Sequence, residues 1–332
     1  MCHYRYMTDE TTETPPPTPD KPKNARKQDV TGFGDRESVT PLYDWMLFGV
    51  CNVSWAQLQS AAFAELTSGN PIDEAIATVQ AFNGSTGKRG IRVRIFVSSD
   101  APGNKGEATW PQSLGGEPVP VTDPTFGNSG VVGHYWTLEF QNAYADLQEK
   151  LAAKYDAVPE IRSVTLASST LLYPEPLRKY SADALIAAGD SLTLEQDAMT
   201  AMIAAHGAWR YTQQTYSFNP GDFPGLGGLA YTESQMQAFR EALPKLSVLM
   251  NNSVRASFAQ GSGTMQQMYA AMTSLGKPIA LQTAVYDLMG DAATTFGLCV
   301  SIGAQSVELP QGYDAIPEAL LEEFQAKLIS NA

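Results

Sequence analysis

The sequence predicts an α/β protein of the TIM (β/α)8 barrel type. Runs rich in β-branched and aliphatic residues alternate with helix-like patterns from Tyr43 to Leu328. Because parallel strands need a crossover connection, a helix after each strand is typical of such a barrel. The predicted strands are 44–53, 91–98, 161–168, 211–219, 246–252, 278–285 and 305–309. The predicted helices are 72–82, 138–155, 194–209, 233–243, 264–275, 291–302 and 317–329.

These patterns supply seven strands, so the eighth must come from a weaker pattern. Two segments are candidates, residues 117–121 and a short stretch before Tyr43. Both alternatives keep the β/α order of the remaining chain.

Residues 1–40 differ in composition from the rest of the chain. Four prolines, Pro15, Pro16, Pro17 and Pro19, lie among threonines and acidic residues. Such a segment buries too little apolar surface to offset the entropy lost on ordering. We therefore expect a disordered or extended N-terminal arm at 1–40 and one barrel domain at 41–332.

The formal net charge of −13 argues against a nucleic-acid partner and against an anionic membrane surface, because both would repel the chain. The N-terminus lacks a signal-peptide pattern, and no apolar run is long enough to span a bilayer. We expect a soluble protein made in the cytoplasm and without membrane insertion. The sequence does not specify its final location, and a virion is one of the alternatives.

The cysteines and histidines have no metal-ligand or redox spacing. Cys2, Cys51 and Cys299 are an odd number and are interpreted as free thiols, two of them buried. The histidines, His3, His134 and His206, are far apart in the sequence. We therefore expect no metal and no cofactor.

Three irregular segments, 99–135, 170–191 and 220–230, each follow a predicted strand. Loops after the strands of a parallel barrel meet at one face, where ligands bind. The segment 99–135 exceeds the usual loop length, which is typical of lids and binding loops. We expect the functional site at this C-terminal face.

The segment 90–176 contains a strand at 91–97, a long loop, a helix that ends in Leu-Ala-Ala-Lys-Tyr155, then Pro159 and a strand at 161–168. It resembles the third and fourth β/α units of clan A glycoside hydrolases. The resemblance implies an Asn-Glu pair after the fourth strand and a nucleophilic Glu after the seventh. This chain has Leu-Ala-Ser-Ser-Thr at 166–170 and Gln282 at those places, so it is degenerate at the expected catalytic positions.

Three other carboxylates are candidates for a catalytic role, namely Glu308, Glu175 and Asp100. Glu308 lies among apolar strand residues, where a carboxylate is costly unless it is paired or functional. The alternative is a structural ion pair between Glu308 and Arg92 or Arg94, which alternate with apolar residues and need acidic partners. For Glu175 and Asp100 the alternative is a solvated loop acid.

Aromatic residues near predicted strand ends favour sugar binding, because pyranose rings stack their C–H faces on aromatic rings. The alternative is ordinary packing under the loops. The candidate substrate-binding residues are Trp55, Trp110, Trp136, Tyr173, Tyr216, Gln282, Tyr286 and Tyr313.

The sequence thus predicts a glycoside hydrolase-like barrel that binds carbohydrate at its C-terminal face, with cleavage left open. The alternative function is a structural or receptor-binding subunit of a larger assembly, such as a phage tail protein. In that case residues 1–40 dock the chain onto a protein assembly.

Overall fold

The computed structural model of the protein describes residues 27–85, 88–99 and 107–332. Its strands are β1 (Gly32–Asp35), β2 (Phe48–Ser54), β3 (Gly90–Phe96), β4 (Val119–Asp123), β5 (Asn128–Val132), β6 (Ile161–Thr165), β7 (Gln213–Ser217), β8 (Ser247–Val254), β9 (Ile279–Thr283) and β10 (Ser306–Leu309). Its α-helices are α1 (Trp55–Leu58), α2 (Pro71–Ser85), α3 (Leu138–Tyr155), α4 (Ala182–Ala187), α5 (Leu192–Ala205), α6 (Gly228–Ala242), α7 (Thr264–Ser274), α8 (Tyr286–Met289), α9 (Ala292–Ile302) and α10 (Glu318–Ser330). Short 3-10 helices lie at Trp110–Ser113, His206–Ala208, Ala256–Ala259 and Tyr313–Ala315. Among the described residues, no helix is both long and apolar enough to cross a membrane.

Eight parallel strands close into a barrel in the order β1-β10-β9-β8-β7-β6-β3-β2. The closure is made by β1, which pairs with β10 at Gly34 and Glu308 and with β2 at Gly34 and Phe48. The predicted TIM barrel is therefore confirmed, and each of the seven predicted strands contributes a strand to it.

The eighth strand is β1, so the prediction of a short strand before Tyr43 is confirmed. The other candidate, 117–121, is wrong as a barrel strand, because β4 pairs antiparallel with β5 in a separate hairpin. This hairpin lies in the long insertion between β3 and α3.

Because β1 lies before residue 41, the barrel includes part of the segment assigned to the N-terminal arm. Among the described residues, the first with contacts to the barrel is Lys27, whose Nζ donates to the carbonyl of Ile161 at 2.7 Å and to Thr212 Oγ1 at 2.8 Å. Val30 is also fully buried. The remainder of the predicted arm, 1–26, lies outside the described residues.

Alternating strand residues divide the interior into two layers. In β3, Ile91, Val93 and Ile95 belong to the apolar core that the barrel shares with its helices. Arg92 and Arg94 are buried inside the barrel, where both bind Glu308 of β10. The strand period of two therefore places the apolar residues of β3 outside the sheet and its two arginines inside it, where Arg92 also lies over the Phe48 ring.

Candidate functional site

A cavity of about 620 Å³ opens at the C-terminal end of the barrel. Its walls come from strand ends, from the loops that follow them and from the β4–β5 hairpin, as expected for a TIM barrel. Among the lining residues are Asn52 of β2, Arg94 of β3, Glu175 after β6, Asn219 after β7, Asn252 of β8 and Gln282 of β9. The predicted location of the site at this face agrees with the cavity.

Four of these residues, Glu175, Asn219, Asn252 and Gln282, form what we call the polar wall. The atoms Glu175 Oε2, Gln282 Oε1, Asn219 Nδ2 and Asn252 Nδ2 are buried and make no well-formed hydrogen bond within the described part of the chain. The two amides nevertheless lie close enough to the Glu175 carboxyl group to lower its pKa. Poorly satisfied buried polar atoms cost about 1–3 kcal/mol each, so their grouping around one cavity favours a ligand site.

Asn252 reaches the cavity because β8 is irregular at its end. The pairing with β9 shifts register between Asn251 and Val254, and Ser253 has a φ of 65°. Such a bulge re-aims side chains relative to a regular strand. Asn252 Oδ1 accepts a hydrogen bond from Ser217 Oγ at 3.3 Å, and the Asn252 amide lies close to the Glu175 carboxyl group.

Glu175 has a strongly altered acidity. Burial raises its pKa to about 7, against the opposite influence of the nearby Asn219 and Asn252 amides and of Arg94. The carboxyl group is thus partly protonated at neutral pH. A protonated carboxyl can donate a hydrogen bond or a proton, as well as accept one.

The loop that holds Glu175 is fixed by Arg178. The side chain of Arg178 donates from Nε to Glu195 Oε1 at 3.0 Å. The backbone N–H of Arg178 donates to Asp222 Oδ1 at 2.8 Å. Arg178 and Glu195 are both fully buried. Glu175 is therefore presented by a well-anchored segment.

Glu308 has a different environment. It is fully buried, accepts from Arg92 Nη1 at 2.6 Å and forms a second ion pair with Arg94. Burial alone would raise its pKa, but Arg94 and Arg92 lower it below the ordinary glutamate value. Arg94 lines the cavity and Glu308 does not. The geometry is that of the structural ion pair considered from the sequence.

The structure brings two predicted substrate-binding residues, Tyr173 and Gln282, to the cavity with Glu175. The hydroxyl of Tyr173 donates to Asp123 Oδ2 at 2.9 Å and accepts from Asn128 Nδ2 at 3.0 Å. This links the loop after β6 to the hairpin. The third candidate carboxylate, Asp100, lies outside the described residues.

The other predicted aromatic residues lie elsewhere. Trp55 is buried in the core and packs edge-on against Trp110 at a ring-centroid distance of 5.0 Å. Trp136 stacks on His134 at 4.7 Å. Tyr216 is buried against Phe218 at 4.1 Å.

Two tyrosines complete the predicted set. Tyr313 donates its hydroxyl to Asp35 Oδ2 at 3.1 Å and does not line the cavity. Tyr286 is 38% exposed on α8, beside lining residues that follow β9. The packing alternative stated in the sequence analysis therefore fits five of the predicted aromatic residues, namely Trp55, Trp110, Trp136, Tyr216 and Tyr313.

Sequence reasoning missed Asn219 and Asn252, although each is the last residue of a predicted strand run. Both are polar residues at the C-terminal end of a buried strand, and this position in a parallel barrel indicates a site residue. Phe126 and Leu288 were also missed, because their approach to the cavity depends on the hairpin and on the short helix α8.

Among the described residues, no group of three or more His, Cys, Asp or Glu side chains is arranged to hold a metal ion. His206 is buried and contacts Tyr144 and Gln214. Burial lowers its pKa to about 4. His206 is therefore neutral at pH 7 and serves the packing of α3 against the barrel.

No protein-family model matches the sequence. A comparison with curated proteins also found no match.

Solved structures with the same fold include the catalytic domain of β-amylase from Paenibacillus polymyxa, with a TM-score of 0.54 and 10% identity over 93% of this chain and 99% of that one. Endo-glycoceramidase II from Rhodococcus sp., in complex with ganglioside GM3, has a TM-score of 0.52 and 13% identity over 93% of this chain and 81% of that one. The tri-modular endo-β-1,4-glucanase B from Bacillus halodurans has a TM-score of 0.50 and 8% identity over 90% of this chain and 60% of that one. The chain therefore shares its barrel fold with glycoside hydrolases, as the sequence resemblance predicted.

Proposed function

We propose that the cavity binds an uncharged carbohydrate. The observation that supports this proposal is the polar wall, which places two amide nitrogens and two oxygens without well-formed hydrogen bonds around the cavity. Every sugar hydroxyl both donates and accepts, so one ring with several hydroxyls can satisfy atoms of both kinds.

The size and lining of the cavity support the same proposal. A volume of about 620 Å³ lies within the range of small-molecule sites. Tyr173 and Phe258 line it and offer aromatic surface to the C–H faces of a sugar ring. The glycoside hydrolase folds of the structural neighbours agree with a carbohydrate ligand.

The test is calorimetric titration of the purified chain with a panel of neutral mono- and oligosaccharides. Binding should weaken about fivefold to tenfold in Asn219→Ala and in Asn252→Ala, because each variant removes one hydrogen bond to the ligand. Gln237→Ala, which removes an exposed amide on α6, is the matched control. Failure of the whole panel to bind, or affinities unchanged in both cavity variants, would refute the proposal.

Cleavage of the bound sugar is a second candidate function, favoured by the acidity of Glu175. A general acid for glycoside cleavage must be protonated near neutral pH, and the pKa of Glu175 is about 7. Asp123 is a second carboxylate that lines the cavity and is a candidate base. The amide of Gln282 cannot act as a nucleophile, so we propose the inverting route, in which a base activates water.

Release of reducing ends from polysaccharides tests this second function. We expect Glu175→Gln to abolish release, and Asp123→Asn to reduce it at least about a hundredfold, as loss of a general base does. If Glu308→Gln alone abolishes release at unchanged stability, Glu308 is the catalytic residue. Absence of release with binding intact leaves carbohydrate binding as the function.

We also propose that the part of the predicted 1–40 arm that precedes β1 docks the chain onto a protein assembly, with the cavity left open. Lys27 binds the carbonyl of Ile161, the first residue of β6, and so lies at the barrel end opposite the cavity. A partner bound at that end does not cover the sugar site. Size-exclusion analysis of the full chain and of a chain without residues 1–26, each mixed with a native extract of the source, tests this. Equal elution of both chains would contradict it.

A further inference from the structure

The mouth of the cavity exposes a cluster of large apolar side chains. Phe126, Val285 and Leu288 line the cavity and remain 57%, 47% and 41% exposed, and we call them the apolar rim. Phe126 lies in the turn of the β4–β5 hairpin, whereas Val285 and Leu288 follow β9. Two separate parts of the chain therefore present apolar surface to the same opening, which is unusual for scattered surface residues.

The apolar surface extends inward from the rim. Phe258 and Met265 are half-buried, pack against the main core and also line the cavity. The polar wall lies in the same cavity. One continuous opening thus combines buried hydrogen-bonding atoms with exposed aliphatic and aromatic surface.

Two cationic residues that line the cavity make contacts within the chain. Arg36 forms an ion pair with Glu37 at 2.7 Å. The guanidinium of Arg255 lies over the Phe258 ring at 5.0 Å, and its Nε donates to the carbonyl of Ser253 at 3.2 Å. Among the cavity-lining residues, the apolar rim exposes the most large apolar surface to water.

We propose that the ligand is a glycoside with an apolar aglycone. The sugar binds the polar wall, and the aglycone lies against Phe126, Val285 and Leu288. This inference rests on the proposed carbohydrate function and specifies its substrate class. A free sugar would leave the apolar rim in water, whereas an alkyl or aryl aglycone removes that surface from water.

The experiment compares matched pairs of methyl and n-octyl β-glycosides of glucose, galactose and lactose by calorimetry, below the critical micelle concentration of the octyl compounds. Each fully buried methylene strengthens binding about fourfold, so partial burial of the longer chain should give at least about a tenfold preference for octyl. The preference should hold for whichever of the three sugars binds.

Rim variants locate the effect. In Leu288→Ser and Phe126→Ser, the octyl-to-methyl ratio should fall to about threefold or less. Ile329→Ser is the matched control, because Ile329 is 42% exposed on α10 and lies away from the cavity. It should keep the ratio of the unmodified protein.

Equal affinity for methyl and octyl glycosides would overturn this inference and leave carbohydrate binding intact. Failure of every methyl and octyl glycoside to bind would overturn both. An octyl sulfobetaine without sugar is the remaining control. The inference is wrong if octyl sulfobetaine binds as tightly as the octyl glycosides and Asn252→Ala changes the affinity for neither compound. The rim would then be a lipid-binding surface that does not require a sugar.

Discussion

Arg92 Nη1 donates to Glu308 Oε1 at 2.6 Å inside the barrel, and both side chains are fully excluded from solvent. The contact joins β3 to β10, which are not neighbours in the sheet. Arg94, one strand period further along β3, binds the other carboxylate oxygen. Glu308 therefore compensates two buried cations, one of which lines the cavity.

We predict that Glu308→Gln destabilises the protein by about 3–5 kcal/mol, because it leaves both guanidinium groups buried without a counter-charge. Urea denaturation at pH 7 measures the change. Glu323→Gln, which breaks an exposed pair with Lys327, should change stability by less than about 1 kcal/mol. An unchanged denaturation midpoint for Glu308→Gln would contradict the structural role and favour a catalytic one.

The same carboxylate affects acid stability. Its pKa is lowered in the folded state by Arg94 and Arg92, despite the opposing effect of burial. A carboxylate with a depressed pKa stabilises the fold above its unfolded pKa of about 4.3, and this contribution is lost as the pH falls further.

Glu175 should have the opposite effect on the pH dependence of stability. Its folded pKa of about 7 exceeds the ordinary value of 4.5, so the folded state holds the proton more tightly than the unfolded state. The stability that this proton contributes is complete below about pH 4 and is lost as the pH rises to about 7, a loss of up to about 3 kcal/mol. Glu175→Gln should therefore flatten the stability profile between pH 5 and pH 8.

Denaturant midpoints of both proteins at pH 5, 6, 7 and 8 test this prediction. Asp190 also has a pKa of about 7, raised by burial and by Glu195, so it contributes to the loss of stability in the unmodified protein as well. The difference between the two profiles isolates Glu175. Parallel profiles would show that Glu175 is ionised normally in the folded chain.

A third prediction concerns the N-terminal segment. Removal of residues 1–26 should leave the melting temperature unchanged, because their composition provides little apolar surface to bury. Lys27→Met should instead destabilise by about 1–3 kcal/mol, since the carbonyls of Tyr155 and Ile161 lose a buried donor. Within the predicted 1–40 arm, Lys27 and Val30 thus contact the barrel, unlike a disordered segment.

Thermal unfolding followed by circular dichroism compares the two changes directly. Lys88→Met, at an exposed lysine, provides the control for loss of one positive charge. A fall of several degrees on removal of 1–26 would contradict the prediction and make that segment part of the folding unit.

The thiols of Cys51 and Cys299 should resist alkylation in the native protein. Both are buried, and burial raises the pKa of each to about 12, so almost no thiolate is present at pH 8. Titration with a thiol reagent should modify them only after denaturation. Rapid modification of either one in the folded protein would contradict its placement in the core.

Much of this molecule followed from the sequence, because its elements repeat a local pattern. The runs at 91–98 and 161–168 predicted β3 and β6 from their β-branched composition, and the alternation of Arg92 and Arg94 with apolar residues placed both arginines on one side of their strand. Glu175 was found as a carboxylate after a strand. The weak strand β1 escaped a firm assignment because four residues, two of them glycine, give little propensity signal.

The sequence by itself determined the closed barrel, the end at which its loops meet, and the pairing need of two buried arginines. Local periodicity and the cost of a buried charge are sufficient for those conclusions. Tertiary structure decided which carboxylate faces Arg92 and which faces the cavity. It also decided that Trp55 packs in the core while Asn219 and Asn252 reach the cavity. Those outcomes depend on barrel closure, a register shift in β8 and loop anchoring by Arg178, which bring together residues far apart in the chain.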